Sequence, residues 1–311
     1  MLRSIWQVKM LWMKSKLHIN SFFLFLILSH SLCAEAKVTY GFSEGRLGDN
    51  LISYLHAKWV SYLYQIPLSY IPFDGSDNFL LHELEKPFGS GEKTVTLNDL
   101  SQLDWFKDVV YKIPYAPDYL QEYEHIRGLK NICPYIKVDW EDKTFIEWAR
   151  PFLSPRTPVK TLCLPTDKIT VALHIRRHVG VDRDPRLATF YPYKFLPNQF
   201  YIDQIRWIYK EFNEQPLYIY FFSNDPDMEK VAEFYKKTLN IDNITFDWGK
   251  ENSVLTDFYS MMQFDCLVRP QSNLSIVASK FGRQKLVISP EHVKTGRRGN
   301  VVDKVLIEKR W

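Results

Sequence analysis

The stretch Ile169-Thr-Val-Ala-Leu-His174-Ile175-Arg176-Arg177 constrains the fold of this chain more than any other. Alternating β-branched and aliphatic residues read as a buried parallel strand. This one ends in an imidazole and two adjacent guanidiniums. In open α/β sheets the carboxyl ends of the strands are where ligands bind. Arginine offers a planar fork of donors that matches phosphate oxygens two at a time, and it stays charged at any working pH. The run therefore predicts an α/β protein with a site for a nucleotide diphosphate. Alternation sends Arg176 and Arg177 to opposite faces, so one can grip phosphate while the other orders a loop or shares the anion.

The rest of the chain fits that class. Val38-Thr-Tyr-Gly-Phe42 predicts a strand, Gly45-Arg-Leu-Gly48 a turn, and Leu51, Ile52, Leu55, Trp59, Val60 and Leu63 a helix from about Asp49 to Tyr64. Leu68-Ser-Tyr-Ile71 follows as a second strand, giving the opening of a Rossmann-like unit. From Phe73 to Asp139 the pattern is too weak to order. Four prolines between Pro151 and Pro165 suggest a linker. Beyond it the sequence predicts helices around Phe200–Phe212, Met228–Tyr235, Leu255–Met262 and Asn273–Phe281. These alternate with strands at Leu217–Phe222, Asp265–Arg269 and Lys285–Ile288, the last closing the set. The expected architecture is two Rossmann-like domains facing a cleft, residues 37–160 and 161–311, behind a segment 1–36.

That first segment carries a local excess of three positive charges out of a net +4, then Phe22-Phe-Leu-Phe-Leu-Ile-Leu28 and Ala34-x-Ala36. This is the three-part pattern of a secretory signal peptide, and the apolar run is shorter than the roughly 20 residues that span a bilayer. Cleavage would place the protein in the secretory pathway or outside the cell; without it, residues 1–36 would be a signal anchor and the only membrane contact. The remaining body, near +1, has no electrostatic footprint for nucleic acid. Of the four cysteines, Cys133, Cys163 and Cys266 would remain, and buried free thiols are the expected state. Asn243-Ile-Thr245 and Asn273-Leu-Ser275 match the glycosylation sequon.

Other groups fall at strand ends. Ser223-Asn224-Asp225-Pro226 follows a strand and precedes a helix, where capping and a ligand contact are both open. Ser272 and Asn273 open a helix whose amino terminus could bind phosphate or simply be capped. Asp182-Arg-Asp184 spells a D-x-D that in many glycosyltransferases holds a divalent metal. Beside two arginines it reads better as a loop with internal ion pairs. No phosphate-binding loop of the ATPase type, no nucleophile elbow and no zinc-protease motif is present.

Taken together these segments resemble the fucosyltransferase superfamily, closest to the α-1,2-fucosyltransferase family with its protein-O- and α-1,6-fucosylating relatives. Gly45-Arg-Leu-Gly48-Asp49-Asn50 resembles the family's G-[GR]-[LF]-G-N-Q turn, His174-Ile-Arg176-Arg177 its H-x-R-R signature, and Phe222-Ser-Asn-Asp225 its F-S-D-D stretch. Asp257 through Ser275 is similar to its Asp–helix–strand–serine-rich-turn pattern. The resemblance implies a GT-B arrangement and an inverting transfer from GDP-fucose to a glycan or glycoprotein hydroxyl, with no cofactor and no metal required. It implies Arg176 and Arg177 on the β-phosphate, His174 and Asp257 on the guanosine, and Ser272, Asn273 and Ser275 on the phosphates. It also places Gly45, Arg46, Gly48, Asn50, Ser223 and Asp225 in the donor site. Asp49 is the candidate for the carboxylate that accepts the acceptor proton. Two departures stand out: the family continues H-x-R-R-G-D, where this chain has His178-Val-Gly180, and Gly48-Asp-Asn replaces Gly-Asn-Gln. The rival readings are a metal-dependent transferase built on Asp182 and Asp184, and a catalytically silent secreted carbohydrate-binding protein.

Overall fold

The computed structural model describes residues 36–42, 45–104, 107–114, 138–177, 182, 184, 186–249, 252–296 and 299–310. The segment expected to direct export, Cys33, Cys133 and loop residues 178–181 and 183 lie outside the described residues. Among the described residues no helix is long and apolar enough to cross a membrane.

In the first half β1 (Lys37–Tyr40) leads into α1 (Leu47–Tyr64), and β2 (Ser69–Tyr70) follows. The stretch that resisted ordering holds α2 (Leu81–Leu84), β3 (Lys86–Pro87), β4 (Thr94–Thr96) and β5 (Val110–Ile113). The strand pairings described here are parallel, β1 with β5, β5 with β4 and β2 with β3, with a parallel bridge Val38–Leu68 beside β1 and an isolated antiparallel bridge Phe79–Pro155. Strands of two to four residues are too short for a period to show. The helix ends as its sequence requires, at Gln65 in the left-handed region (φ 55°) with Pro67 beyond. From Asn50 to Ser61 every residue of α1 is buried, so the helix is central rather than amphipathic.

That burial includes a charge. Lys58 Nζ meets Glu85 Oε1 at 2.5 Å, the Tyr54 hydroxyl donates to the same oxygen at 2.6 Å, and the ammonium lies 3.4 Å from the Phe152 ring centroid. Burial lowers the Lys58 pKa while Glu85 opposes the shift. The pair ties α1 to the chain entering β3. α3 (Lys143–Ala149), capped by the Asp142 carboxylate on the Thr144 and Phe145 amides, closes this half.

The second half is a six-stranded sheet in the order β11-β10-β9-β6-β7-β8. Its strands are β6 (Ile169–Ile175), β7 (Leu217–Ser223), β8 (Ile244–Trp248), β9 (Cys266–Val268), β10 (Leu286–Gly296) and β11 (Gly299–Lys309). Between them run α4 (Leu187–Phe190), α5 (Asn198–Glu211), α6 (Met228–Leu239), α7 (Val254–Met261) and α8 (Asn273–Phe281). Counted from β6, the five parallel strands run 3-2-1-4-5, the doubly wound order, and it reverses between β6 and β9. Two expectations are corrected here. β8 has clean apolar–polar alternation but was passed over, being a five-residue edge strand. Lys285–Ile288 does not close the set: β10 runs on past a bulge at Pro290–His292 and returns as β11, the one antiparallel pairing of this sheet, with Gly299 at φ 107°, where a side chain would be strained.

The sheet's two faces feed two cores. Val171, Leu173, Ile175, Ile219 and Phe221 pack with α5 and α6. Ala172, Tyr220, Phe222 and Leu267 join α7, α8 and the whole first half in one continuous cluster. Cys266 is buried as expected, whereas Cys163 is exposed. Asn273 and Ser275 are 4% and 0% exposed, so the second sequon is closed in the folded chain; Asn243 is exposed.

Removing the acid from the buried pair leaves an ammonium without its counter-charge. Glu85→Ala is expected to destabilise the protein by about 3–5 kcal/mol, read as a lower urea midpoint; an unchanged midpoint would contradict the burial of this pair.

Candidate active site

A cavity of about 470 Å³ opens where the strand order reverses, within the range of small-molecule sites. The second half supplies His174–Arg176 from the end of β6, Phe222–Asn224 from β7, Ser253–Leu255, Asp257 and Met261 from α7, and Gln271–Leu274 from the start of α8. The first half faces it with Arg46–Asp49 and with Asp74, Gly75 and Asn78.

Strand parity decides which arginine reaches it. His174 shares the Ala172 face, turned to the first half, and Arg176 continues that alternation into the cavity wall. Arg177 follows Ile175 to the other side, where its Nη2 donates to Asn198 Oδ1 and its Nε lies 3.5 Å from Asp225 Oδ2. Arg177 and Asp225 therefore stand outside the cavity lining and hold the start of α5 and the β7–α6 loop in place. The expected opposite faces are found, and with them a division of labour.

Arg176 is nearly buried, and desolvation lowers its pKa to about 10, which leaves it charged. Among the described residues its Nε has no hydrogen-bond partner. Asp182 Oδ2 forms an ion pair with Nη2. The same carboxylate takes Arg46 Nη2 at 3.1 Å and Lys194 Nζ at 3.3 Å. Asp184 is held by Arg186, whose Nε and Nη2 reach it at 3.0 and 2.6 Å. Both carboxylates of the D-x-D are thus ion-paired, as expected of them. Among the described residues no cluster of three or more His, Cys, Asp or Glu could hold a metal.

His174 is buried, and desolvation followed by the Arg176 charge brings its pKa to about 3. It is a neutral imidazole at any working pH, with Nδ1 free of protein partners. Asp257 goes the other way: burial lifts its carboxyl to about 6, against the Asn252 amide donating at 3.1 Å.

The serine-rich turn is mostly architecture. Ser272 precedes the first turn of α8 and faces the cavity with Asn273. Ser275 is fully buried and donates back to the Ser272 carbonyl at 3.0 Å. Asn50 is also buried, its amide reaching the Gly45 carbonyl at 3.4 Å, and neither Asn50 nor Gly45 lines the cavity. Asp49 does line it, but both its oxygens are engaged: Oδ2 by the Arg46 amide at 3.0 Å and Oδ1 by Asn273 Nδ2 at 2.5 Å. That geometry makes Asp49 a staple between the first turns of α1 and α8. Gly48 explains how the two turns come so close. A Cβ there would lie 2.4 Å from the Leu274 amide nitrogen. Two helix amino termini, each the positive end of a dipole, thus meet at one wall.

Lys194, Asp74, Gly75, Asn78, Ser253 and Gln271 carry no signal that the sequence reading used. Asp74-Gly75 after β2 and Ser253 after β8 follow parallel strands, so correct placement of those strands would have found them. Lys194 lies in a loop with no such signal.

No protein-family model matches the sequence, and no curated protein does. Among solved structures, a mutant of FUT1 from Arabidopsis thaliana in complex with GDP aligns over 86% of this chain and 73% of its own, with 14% identity and a TM-score of 0.50. POFUT1 in complex with GDP-fucose aligns over 81% and 96% at 11% identity and TM-score 0.44. The fucosyltransferase NodZ from Bradyrhizobium aligns over 88% and 98% at 10% identity and TM-score 0.46. The fold is α/β of the GT-B kind, two Rossmann-like units about one cleft, and it is the fold of the FUT1 structure.

The close approach at Gly48 gives a direct test. Gly48→Ala must push α1 from α8 and is expected to cost about 1–3 kcal/mol in denaturant unfolding; a neutral result would mean the two turns are farther apart.

Proposed function

We propose that this chain is a glycosyltransferase that takes a sugar, fucose in the first instance, from a GDP-linked donor and passes it with inversion to a hydroxyl of a glycan or glycoprotein. The observation that carries the reading is Arg176, delivered by β6 at the reversal of strand order into a cavity wall shared with the first turn of α8. Transfer forms a bond from the acceptor oxygen to the anomeric carbon, breaks the bond to the β-phosphate oxygen, and releases the acceptor hydroxyl's proton to solvent. The electron pair leaves with GDP. Charge developing on that oxygen would meet a fixed guanidinium and the positive end of a helix dipole, which need no reorganisation as the bond breaks. Such groups act without a metal, so activity is expected to survive a chelator. Export through residues 1–36 belongs to the same reading.

The base can be read by Asp257. A guanine edge presents N1–H and N2–H₂, both donors, and an ionised carboxylate accepts from both. His174, neutral and with a free ring nitrogen, is suited to a second polar contact without adding charge.

Titration with GDP and UDP tests the assignment, and a preference for UDP would overturn it. Arg176→Ala is expected to weaken GDP binding by about 2–5 kcal/mol while the fold is retained; unaltered affinity would remove Arg176 from the site. Guanosine, which has no phosphate, isolates the base. Its affinity is expected to fall as pH drops through about 6, where Asp257 takes up a proton. Asp257→Asn should lose about 1–3 kcal/mol and the pH dependence together; a pH-independent wild type would argue against a carboxylate on the base.

A further inference from the structure

The carboxylate of Asp182 marks a place where cations from three separate parts of the chain converge. Arg46 comes from the turn before α1, Arg176 from the end of β6, and Lys194 from the loop between α4 and α5. Three positive side chains face two carboxylates, Asp182 and, more remotely, Asp49, and two of the cations are held where water is scarce: Arg176 and Lys194 have side-chain exposures of 10% and 26%, against 55% for Arg46. Like charges are not assembled in such a place without an anion to offset them.

The loop bearing Lys194 is itself held. Asn300 Nδ2, at the start of β11, reaches the carbonyls of Ala188, Pro192 and Phe195 at 3.0, 3.5 and 3.3 Å. The flanking rings of Tyr191 and Phe195 lie 6.0 and 5.6 Å from the ammonium. An anchored backbone with aromatic neighbours presents a directed charge rather than a solvated surface lysine.

We infer that Lys194 is a diphosphate-binding residue, the third arm of a seat completed by Arg46 and Arg176, and that it sets the affinity of this site for the pyrophosphate part of its ligand. The inference rests on the GDP-donor reading above and adds a residue to it. One consequence is specific to lysine. Desolvation, then the charges of Arg176 and Arg46, lower the Lys194 pKa to about 8, with Asp49 opposing. The other groups facing it are Asp182, paired at 3.3 Å, and His174, which is neutral. A bound diphosphate favours the ammonium, so affinity must fall as pH rises through the free-state value. From pH 7.5 to 9 the protonated fraction of a group with pKa about 8 drops about eightfold, and affinity with it.

The experiment is calorimetric titration of the full chain with inorganic pyrophosphate, GDP and guanosine at pH 7.5 and 9, for wild type, Lys194→Ala and Lys194→Arg. Lys194→Ala is expected to bind pyrophosphate and GDP at least about tenfold more weakly, with guanosine unchanged as a check on folding. Lys194→Arg, whose guanidinium does not titrate here, should restore affinity at pH 7.5 and abolish the lysine-specific loss at pH 9. Ionisations of the ligand are common to both proteins and cancel in the comparison. Full pyrophosphate affinity in Lys194→Ala, or an equal loss at pH 9 in Lys194→Arg and wild type, overturns the inference while the donor reading stands. A wild type that binds neither GDP nor pyrophosphate overturns both.

Discussion

The site depends on the meeting of two helix starts drawn from opposite halves of the chain. α1 and α8 both present their first turns at one wall, close enough that residue 48 has no room for a side chain and that Asp49 bonds directly to Asn273. Bringing two positive dipole ends together is unfavourable on its own. The Asp49 carboxylate, in the first turn of one helix and hydrogen-bonded to the first residue of the other, offsets part of that cost. Everything that faces the cavity is placed relative to this junction. The same junction joins the cores: the apolar cluster of the first half runs without interruption into one face of the six-stranded sheet.

A consequence of such a junction is that the cavity is polarised rather than merely positive. The cationic groups Arg46, Arg176 and Lys194 gather about Asp182 and, with burial, keep the neighbouring His174 deprotonated, whereas burial leaves Asp257 reluctant to ionise. A ligand with a neutral, donor-rich ring at one end and doubly charged phosphates at the other suits that division. The two pKa displacements have the same origin, loss of water, and differ in sign because one charged form is a cation and the other an anion.

Much of this was legible in the residues. The run ending at Arg176-Arg177 announced its strand and the end that faces a ligand, since a buried strand rarely stops in two guanidiniums. Parity then separated their duties. The helices were legible where apolar residues recur over three or more turns, as in α1 and α5. What could not be read were β3, β4 and β5 in the first half, the edge strand β8, the returning strand β11, and the partners of the acidic side chains. Asp49 looked like a base because a carboxylate in a cleft is a base by default. Only the packing of α8 against α1 shows both its oxygens engaged. Ser275 and Asn50 looked like ligand contacts because they fit a motif, yet they face inward and support the turns that carry others. Lys194 has no periodic or positional signature at all, and its importance is visible only in three dimensions.

Asn300 fastens the α4–α5 loop from the first turn-proximal position of β11, so one face of the cavity is fastened by a strand made long after the arginines. During synthesis, a ribosome-bound chain that has already folded β6 and β7 would still display a slack, incomplete anion pocket. Full order of that loop would then wait on the strand that carries Asn300.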